Sequence, residues 1–300
     1  MDEITTLGDA DVLVEPLWRV QVRLTDVERE LLATWPVRRL GFIAHAGASS
    51  IATEQSSTRL EHSLGLLALV VHVAPGDRTA RVAALLHDVG HLPFSHTLGG
   101  IAGLDHHDLG ARRIRSLSPV LARHGLDAET VIDVVDGRLP SPLHGPGPGM
   151  RLDHLESFVR SGRSHGRTTE PPPATLARLR LRDGAVDTDA DTAAALTELV
   201  LAEARSQTSR VNLVTTAVMR DLVDRLLRDE TAATPPAKLA EMTDHDLWGR
   251  LLACPSTRGG PRDCAPGRIA GRSRSPRAPT RRRRPARSPS RSAGSISTVR

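Results

Sequence analysis

The 300-residue chain contains no tyrosine, three phenylalanines and three tryptophans. That scarcity removes the aromatic platforms on which single-strand nucleic-acid binders stack bases. Two cysteines, Cys254 and Cys264, are too few for a disulfide framework and point to a reducing compartment. No stretch approaches the ~18 apolar residues of a membrane span. The acidic start MDEITTLGDADVLVEPLW also lacks the basic and then apolar order of a signal peptide. A cytoplasmic protein without membrane contact is the expectation.

Positive charge is scarce as well, once its location is considered. The chain carries 40 Lys and Arg against 35 Asp and Glu, a net of +5. Residues 255–300 alone hold 13 Arg and one acid, Asp263, which leaves 27 basic and 34 acidic residues in 1–254, a net of −7. The basic character therefore belongs to a tail, and nucleic acid is only weakly suggested as a partner, by that tail alone. Arg, Pro, Ser and Gly dominate it, so it has too little apolar surface to offset chain entropy and reads as disordered. Its abrupt onset also resembles a GC-rich gene read out of frame.

Alternating strand patterns are few, and nearly every patterned stretch has helical spacing. Thr25 stands three residues before Glu28, a capping-box spacing that opens a helix over 25–32. Residues 59–73 place Leu60, Leu64, Leu67 and Val71 on one face before Pro75-Gly76-Asp77 stops them. Further helices are expected over 79–88, 106–116, 152–159, 191–206 and 208–228, with a Gly/Pro-rich loop at 137–149. The fold class is all-α, a helical bundle with a disordered basic C-terminal tail. The expected divisions are a domain over 1–230, a linker with a short helix over 231–254, and the tail over 255–300.

Ten of the 13 histidines fall between His62 and His154. Three clusters carry chemistry: Arg59-Leu60-Glu61-His62, the run from His87-Asp88 through His91 to His96, and His106-His107-Asp108. Imidazole and carboxylate suit a borderline divalent metal such as Mn, Fe, Zn or Co. Neighbours on a helix point about 100° apart, a poor arrangement for packing both His87 and Asp88 in a core. At a helix's last turn both can chelate one ion, and an Asp after an Ala-Ala-Leu-Leu run needs a cation partner. His87 and His91 are four apart, as in a zinc-protease helix, but Asp88 stands where that motif has Glu, and Gly90 and Pro93 break the helix. His72, His124, His165 and His245 read as structural.

The runs TRLEHSLG (58–65), LLHDVGHLPFSH (85–96) and HHDLGARRI (106–114) together resemble the HD-domain metal-dependent phosphohydrolases, most closely the deoxynucleoside triphosphate triphosphohydrolase branch. The resemblance implies an all-helical fold in which His62, His87, Asp88 and a later Asp hold the metal. It implies that His91, His96 and His107 contact phosphate or donate a proton, and that Arg59 contacts the triphosphate. A nucleotide or other phosphate ester is then the substrate, and a homo-oligomer is compatible with it.

Several positions depart from the family pattern. The later ligand stretch reads Met150-Arg151-Leu152-Asp153, which leaves Asp153 as the fourth-ligand candidate, about one turn out of register. Gly99 occupies the place of an Asp that pairs with a histidine in relatives, with Asp105 or Asp108 as substitutes, and His45 falls where relatives place a base-contacting Gln. Arg205 and Arg210 are candidate phosphate contacts. The expected activity is hydrolysis of a deoxynucleoside triphosphate to deoxynucleoside and triphosphate. The alternatives are a nucleotide monophosphatase or phosphodiesterase on the same fold, and a degenerate nucleotide-binding regulator.

Overall fold

The structure, a computed structural model, describes residues 11–144 and 149–260. The chain opens with an antiparallel hairpin of β1 (Val12–Val14) and β2 (Gln21–Arg23). α1 (Asp26–Ala33) follows, and Thr25 and Glu28 close the capping box that their spacing predicts. α2 (Trp35–Arg38) leads through 3₁₀ turns at Arg39–Phe42 and Gly47–Ile51 to α3 (Arg59–Val73). A second capping box, between Thr58 and Glu61, sets the start of α3.

α3 is the central helix. Ser63, Leu66, Leu67, Ala68, Leu69 and Val70 are all fully buried, so it is enclosed nearly all round. α4 (Arg78–Leu86), capped by Asp77, packs along one side of it. α5 (His106–Ser116), α6 (Ser118–Arg123) and α7 (Ala128–Val135) continue the bundle, with α7 against α4. α8 (Leu152–Ser164) packs on the other side of α3. A short α9 (Pro172–Leu176) and a hairpin of β3 (Arg180–Arg182) and β4 (Ala185–Asp187) precede α10 (Ala190–Gln207), which packs on α8. α11 (Arg210–Arg228), α12 (Pro236–Glu241) and α13 (Asp244–Ala253) complete the described elements.

The apolar side chains form two clusters. One gathers around α3, α4, α7 and α8, and the other joins Leu92, Phe94 and Leu98 to Met219, Leu222, Leu239 and Leu247. The segment that carries His87, His91 and His96 runs between them, with Leu86 and Val89 in the first cluster and Leu92 and Phe94 in the second. Each fully buried Leu contributes about 1.5–3 kcal/mol relative to exposure, so both ends of this segment are firmly anchored. Gly90 is the close-approach point: a Cβ there would lie 1.9 Å from the His106 carbonyl oxygen and 2.4 Å from the Gly110 nitrogen. Only glycine lets the start of α5 come this near.

The structure is mostly helical, as expected, with two short hairpins added. Residues 231–254, expected to be a linker and one short helix, contain both α12 and α13, which bury Leu239, Ala240, Met242, Leu247 and Leu251. Residues 255–260, assigned by composition to the disordered tail, form turns instead: Thr257 is buried and donates to the Leu251 carbonyl at 2.7 Å. The rest of the expected tail, 261–300, lies outside the described residues. Among the described residues no helix is long and apolar enough to cross a membrane.

Candidate metal centre

Capping of α3 by Thr58 puts Arg59 at the helix start and His62 one turn in, both buried. His87 caps the C-terminal end of α4 and keeps a helical backbone, so Asp88 follows on the turn. The first turn of α8 brings Asp153 to the same place. His62 Nε2 lies 3.1 Å from His87 Nε2 and 3.0 Å from Asp153 Oδ1. Asp88 Oδ2 stands 3.9 Å from the first nitrogen and 3.5 Å from the second. His62, His87 and Asp153 thus bring ligand atoms within 4.8 Å of one another, with the Asp88 carboxylate beside the two imidazoles, so Asp153 reaches the site from the first turn of α8 despite its offset. Met150, in the family's ligand register, packs against the core instead, and its carbonyl accepts the Val186 N–H at 2.9 Å.

The donor chemistry fits a cation. His87 Nδ1 donates to the Ala84 carbonyl at 2.9 Å, and His62 Nδ1 donates to Glu156 Oε2. Each imidazole therefore turns an Nε2 toward the shared point, and a lone pair on each can face one ion. Burial alone lowers the His62 pKa, but the carboxylates of Glu156, Asp153 and Asp88 raise it to about 10. The site favours positive charge, a condition a divalent ion meets while displacing the proton.

Glu156 escapes sequence reasoning. It is fully buried, accepts from Arg160 Nε at 2.7 Å, and Arg160 continues to Glu15 at 2.9 Å. Gly65 was the available signal. A Cβ there would come 2.2 Å from Glu156 Oε1, so a glycine in the middle of an apolar helix marks where this carboxylate enters.

Arg59 does not reach outward. Its Nη1 donates to Asp88 Oδ2 at 2.9 Å, its Nε to Ser95 Oγ at 2.9 Å and its Nη2 to the His45 carbonyl at 3.3 Å. This guanidinium, with His87 and His91, holds the Asp88 carboxyl well below its ordinary pKa against the opposing effect of burial. Ser95 and Phe94 both adopt left-handed backbone, with φ 51° and 54°. Such conformations cost of order 1–3 kcal/mol each and persist where the surroundings impose them. Here Asp244 Oδ1 accepts the Phe94 N–H at 2.6 Å.

His91 Nε2 donates to Asp88 Oδ1 at 3.0 Å. His106 stacks on His91 with ring centroids 4.7 Å apart, and His96 meets both rings edge-on. Nitrogens of these three residues lie within 4.8 Å of one another. Burial and the Arg59 guanidinium lower His91 well below its ordinary pKa, and the same two causes bring His96 to about 4. His107, the neighbour expected in this role, is 63% exposed at the rim, with Nδ1 3.8 Å from Asp136. Asp105 caps α5 through the His107 and Asp108 N–H groups, and Asp108 is exposed, so Asp88 is the acid that meets a histidine here. Gly99 has only backbone groups to offer: its carbonyl accepts from Arg220 at 3.0 Å and its N–H donates to the His96 carbonyl at 3.1 Å.

These groups line a cavity of about 790 Å³, bounded on its far side by α10 and α11. Arg205 and Arg210 are exposed and do not line it. Residues 59–145 match the family model of the HD domain. The HD likeness is confined to this stretch, under a third of the chain. The match contains Arg59, His62, His87, Asp88, His91, His96 and His106, while Asp153 and Glu156 lie beyond its end.

Two uncharacterized proteins are similar to this chain. One is YdhJ of Bacillus subtilis, 28% identical over 182 residues, 58% of this chain and 55% of that protein. The other, from Methanocaldococcus jannaschii, is 34% identical over 102 residues, 32% of this chain and 22% of that protein. The metal-dependent phosphohydrolase cns2 of Cordyceps militaris is 29% identical over 170 residues, 54% of this chain and 48% of that protein. The chain spans about half or less of the length of these curated relatives. Among solved structures, a hypothetical protein from Aquifex aeolicus aligns with TM-score 0.65 at 19% identity, over 84% of this chain and 74% of that one. A phosphohydrolase from Bacteroides thetaiotaomicron aligns with TM-score 0.63 at 15% identity, over 84% and 75%. These two likenesses establish the fold.

At this centre, Glu156→Gln keeps the side chain's shape but removes the charge that orients His62. Metal affinity is expected to fall about 10–100-fold, measured by competitive chelator titration. An unchanged affinity would show that Glu156 serves packing alone.

Proposed function

We propose that the protein is a metal-dependent phosphohydrolase that cleaves a phosphate ester of a nucleotide. The observation that carries this reading is the pair of imidazole Nε2 atoms 3.1 Å apart, flanked by Asp88 and Asp153 and opening into the large cavity. His62, His87, Asp88 and Asp153 would hold a divalent transition metal such as Mn, Fe, Zn or Co. When bound, such an ion acidifies a water so that hydroxide is available near neutral pH.

The chain's own residues divide the remaining work. Arg59 and His91 fix both oxygens of Asp88, so the carboxylate cannot rotate away from the site. His91 uses its Nε2 proton on Asp88, which leaves His96 and His106 as the imidazoles able to donate to phosphate oxygens. Among the described residues neither makes a side-chain hydrogen bond of its own. The negative charge of a bound phosphate raises an imidazole's pKa, so His96 takes up a proton on substrate binding and delivers it to the leaving oxygen.

Charge in the cavity bears on the size of the phosphate group. Arg59 is the sole Arg or Lys among the described lining residues, and its donors are engaged by Asp88, Ser95 and the His45 carbonyl. Asp88, Asp153 and Glu203 oppose it. This balance supports a phosphomonoester over a triphosphate. Hydrolysis of a deoxynucleoside triphosphate is the second reading, favoured by the order of the three sequence runs. A panel of nucleoside mono- and triphosphates with Mn²⁺ or Co²⁺, followed by release of phosphate or triphosphate, separates the two. Orthophosphate from monophosphates is the expected product, and a metal-loaded protein that cleaves no member of the panel would overturn the proposal.

A further inference from the structure

The cavity has a second polar centre, built from residues outside the histidine clusters. Gln55 and Ser161 are buried, at 7% and 9% exposure, yet both side chains turn to the cavity wall and converge on Glu203 of α10. Gln55 Nε2 donates to Ser161 Oγ, and also to Glu203 Oε2 at 3.3 Å; Ser161 Oγ donates to the same carboxylate oxygen. Three separate parts of the chain, the loop before α3, the end of α8 and the C-terminal part of α10, thus combine to orient one acid. An ordinary solvated glutamate on a helix has no such support. Glu203 Oε1 meets only the Gln207 amide of its own helix, at 3.4 Å, among the described residues.

We propose that Glu203 is the residue that selects the substrate's organic group, by accepting hydrogen bonds from two neighbouring donors on it. This rests on the phosphohydrolase reading for the other end of the substrate. α8 acts as the ruler between the two ends. Asp153, Ser157 and Ser161 recur every four residues and share a face of that helix. Eight residues of helix span about 12 Å. Ser157 Oγ, midway, lies 3.3 Å from His45 Nε2, so the whole stripe borders the same cavity. A phosphorylated nucleoside bridges such a span, whereas inorganic phosphate and simple alkyl phosphates do not.

The ligand chemistry follows from the acceptor. An ionised carboxylate has no donor, so it pairs with two adjacent N–H or O–H groups and rejects acceptors and anions. A ribose cis-diol and the N1–H and 2-amino edge of guanine both present that pattern. Gln55 and Ser161 hold the Glu203 carboxylate in place, so a ligand that lacks the donor pair leaves that carboxylate unmatched and is discriminated against.

The test uses the full-length, metal-loaded protein and its Glu203→Gln variant. Ribo- and deoxyribonucleoside 5′-monophosphates of guanine and adenine are compared with p-nitrophenyl phosphate, and nucleotide binding is measured separately by calorimetry. The expected result is a fall of about 10–100-fold in kcat/KM for the preferred nucleotide relative to p-nitrophenyl phosphate, arising mainly in KM. If the diol is read, the preference for ribo over deoxy substrates shrinks. If the guanine edge is read, preference moves toward adenine, whose edge a Gln amide matches with one donor and one acceptor. A purely structural role would lower all substrates together, and that outcome, or unchanged selectivity, overturns the assignment. A wild-type protein that binds nucleotides without cleaving them, in a manner lost with Glu203→Gln, would sink the hydrolase reading and keep this one.

Discussion

His87→Ala is expected to abolish stoichiometric metal binding and to lower the proposed phosphate-ester hydrolysis by at least about 10³-fold. The change removes one of two imidazole nitrogens that meet at 3.1 Å and leaves His62 Nε2 with the Asp153 carboxylate at 3.0 Å. It does not disturb the helix, because His87 follows the last residue of α4 and contributes there mainly through its Nδ1 bond to Ala84. Asp88→Ala is a harsher change. Besides a ligand it removes the partner of the buried Arg59 guanidinium and of His91, and breaking such a buried pair costs about 3–5 kcal/mol. Asp88→Asn retains the shape and a hydrogen-bond acceptor, so it separates loss of metal from loss of fold. Metal analysis of the purified variants beside thermal unfolding reads both quantities. Wild-type metal content in His87→Ala would remove the basis for the proposed centre.

How much of this site is legible in the sequence depends on whether its determinants are local. α3 and α5 begin and end where their patterns predict, since caps, apolar spacing and the Pro-Gly stop all lie within the segment. The His87-Asp88 pair is visible because two polar residues interrupt an apolar helix at its last turn. Glu156 is not, because its partner His62 is 94 residues away and nothing in LDHLESF distinguishes an inward Glu from a solvated one. Gln55, Ser161 and Glu203 are hidden for the same reason. The choice of His107 over His106 turns on the phase of α5, which Gly90 sets by letting α5 approach; a one-residue rotation moves an imidazole from cavity to rim. Arg205 and Arg210 show the converse error, since charge near a motif says nothing of the face it occupies. α7, only eight residues long, is too short for its apolar period to stand out.

Arg39→Met is expected to destabilise the protein by about 3–5 kcal/mol, although Arg39 lies outside the predicted site. The guanidinium is almost fully buried and donates to the carbonyls of His91 at 2.8 Å, Ala240 at 3.0 Å and Glu241 at 3.3 Å, and to that of Met242. Arg113 reinforces it, donating to the Val89 carbonyl at 2.5 Å and to Ala240 at 2.6 Å. Together they bind the end of α12 to the turn that carries His91. Burial and the nearby Arg113 charge lower the Arg39 pKa to about 9, so it remains cationic at neutral pH. A Met at this position fills the space but leaves several buried carbonyls without donors, each costing about 1–3 kcal/mol if water cannot reach it. Arg39→Lys supplies one ammonium where a planar fork reaches four acceptors, and its loss should be intermediate. Urea denaturation measures both, with an accompanying fall in Tm of about 10 °C for Arg39→Met. Because Asp244 from the same C-terminal segment also holds the Ala44 and Phe94 N–H groups, loosening this clasp displaces His45, His91 and His96 before it reaches His62 and His87. Activity should therefore fall before metal binding does as urea is raised. Loss of both at one urea concentration, or a Met variant within about 1 kcal/mol of wild type, would show that the C-terminal helices merely cover the helical core and do not position His91 and His96.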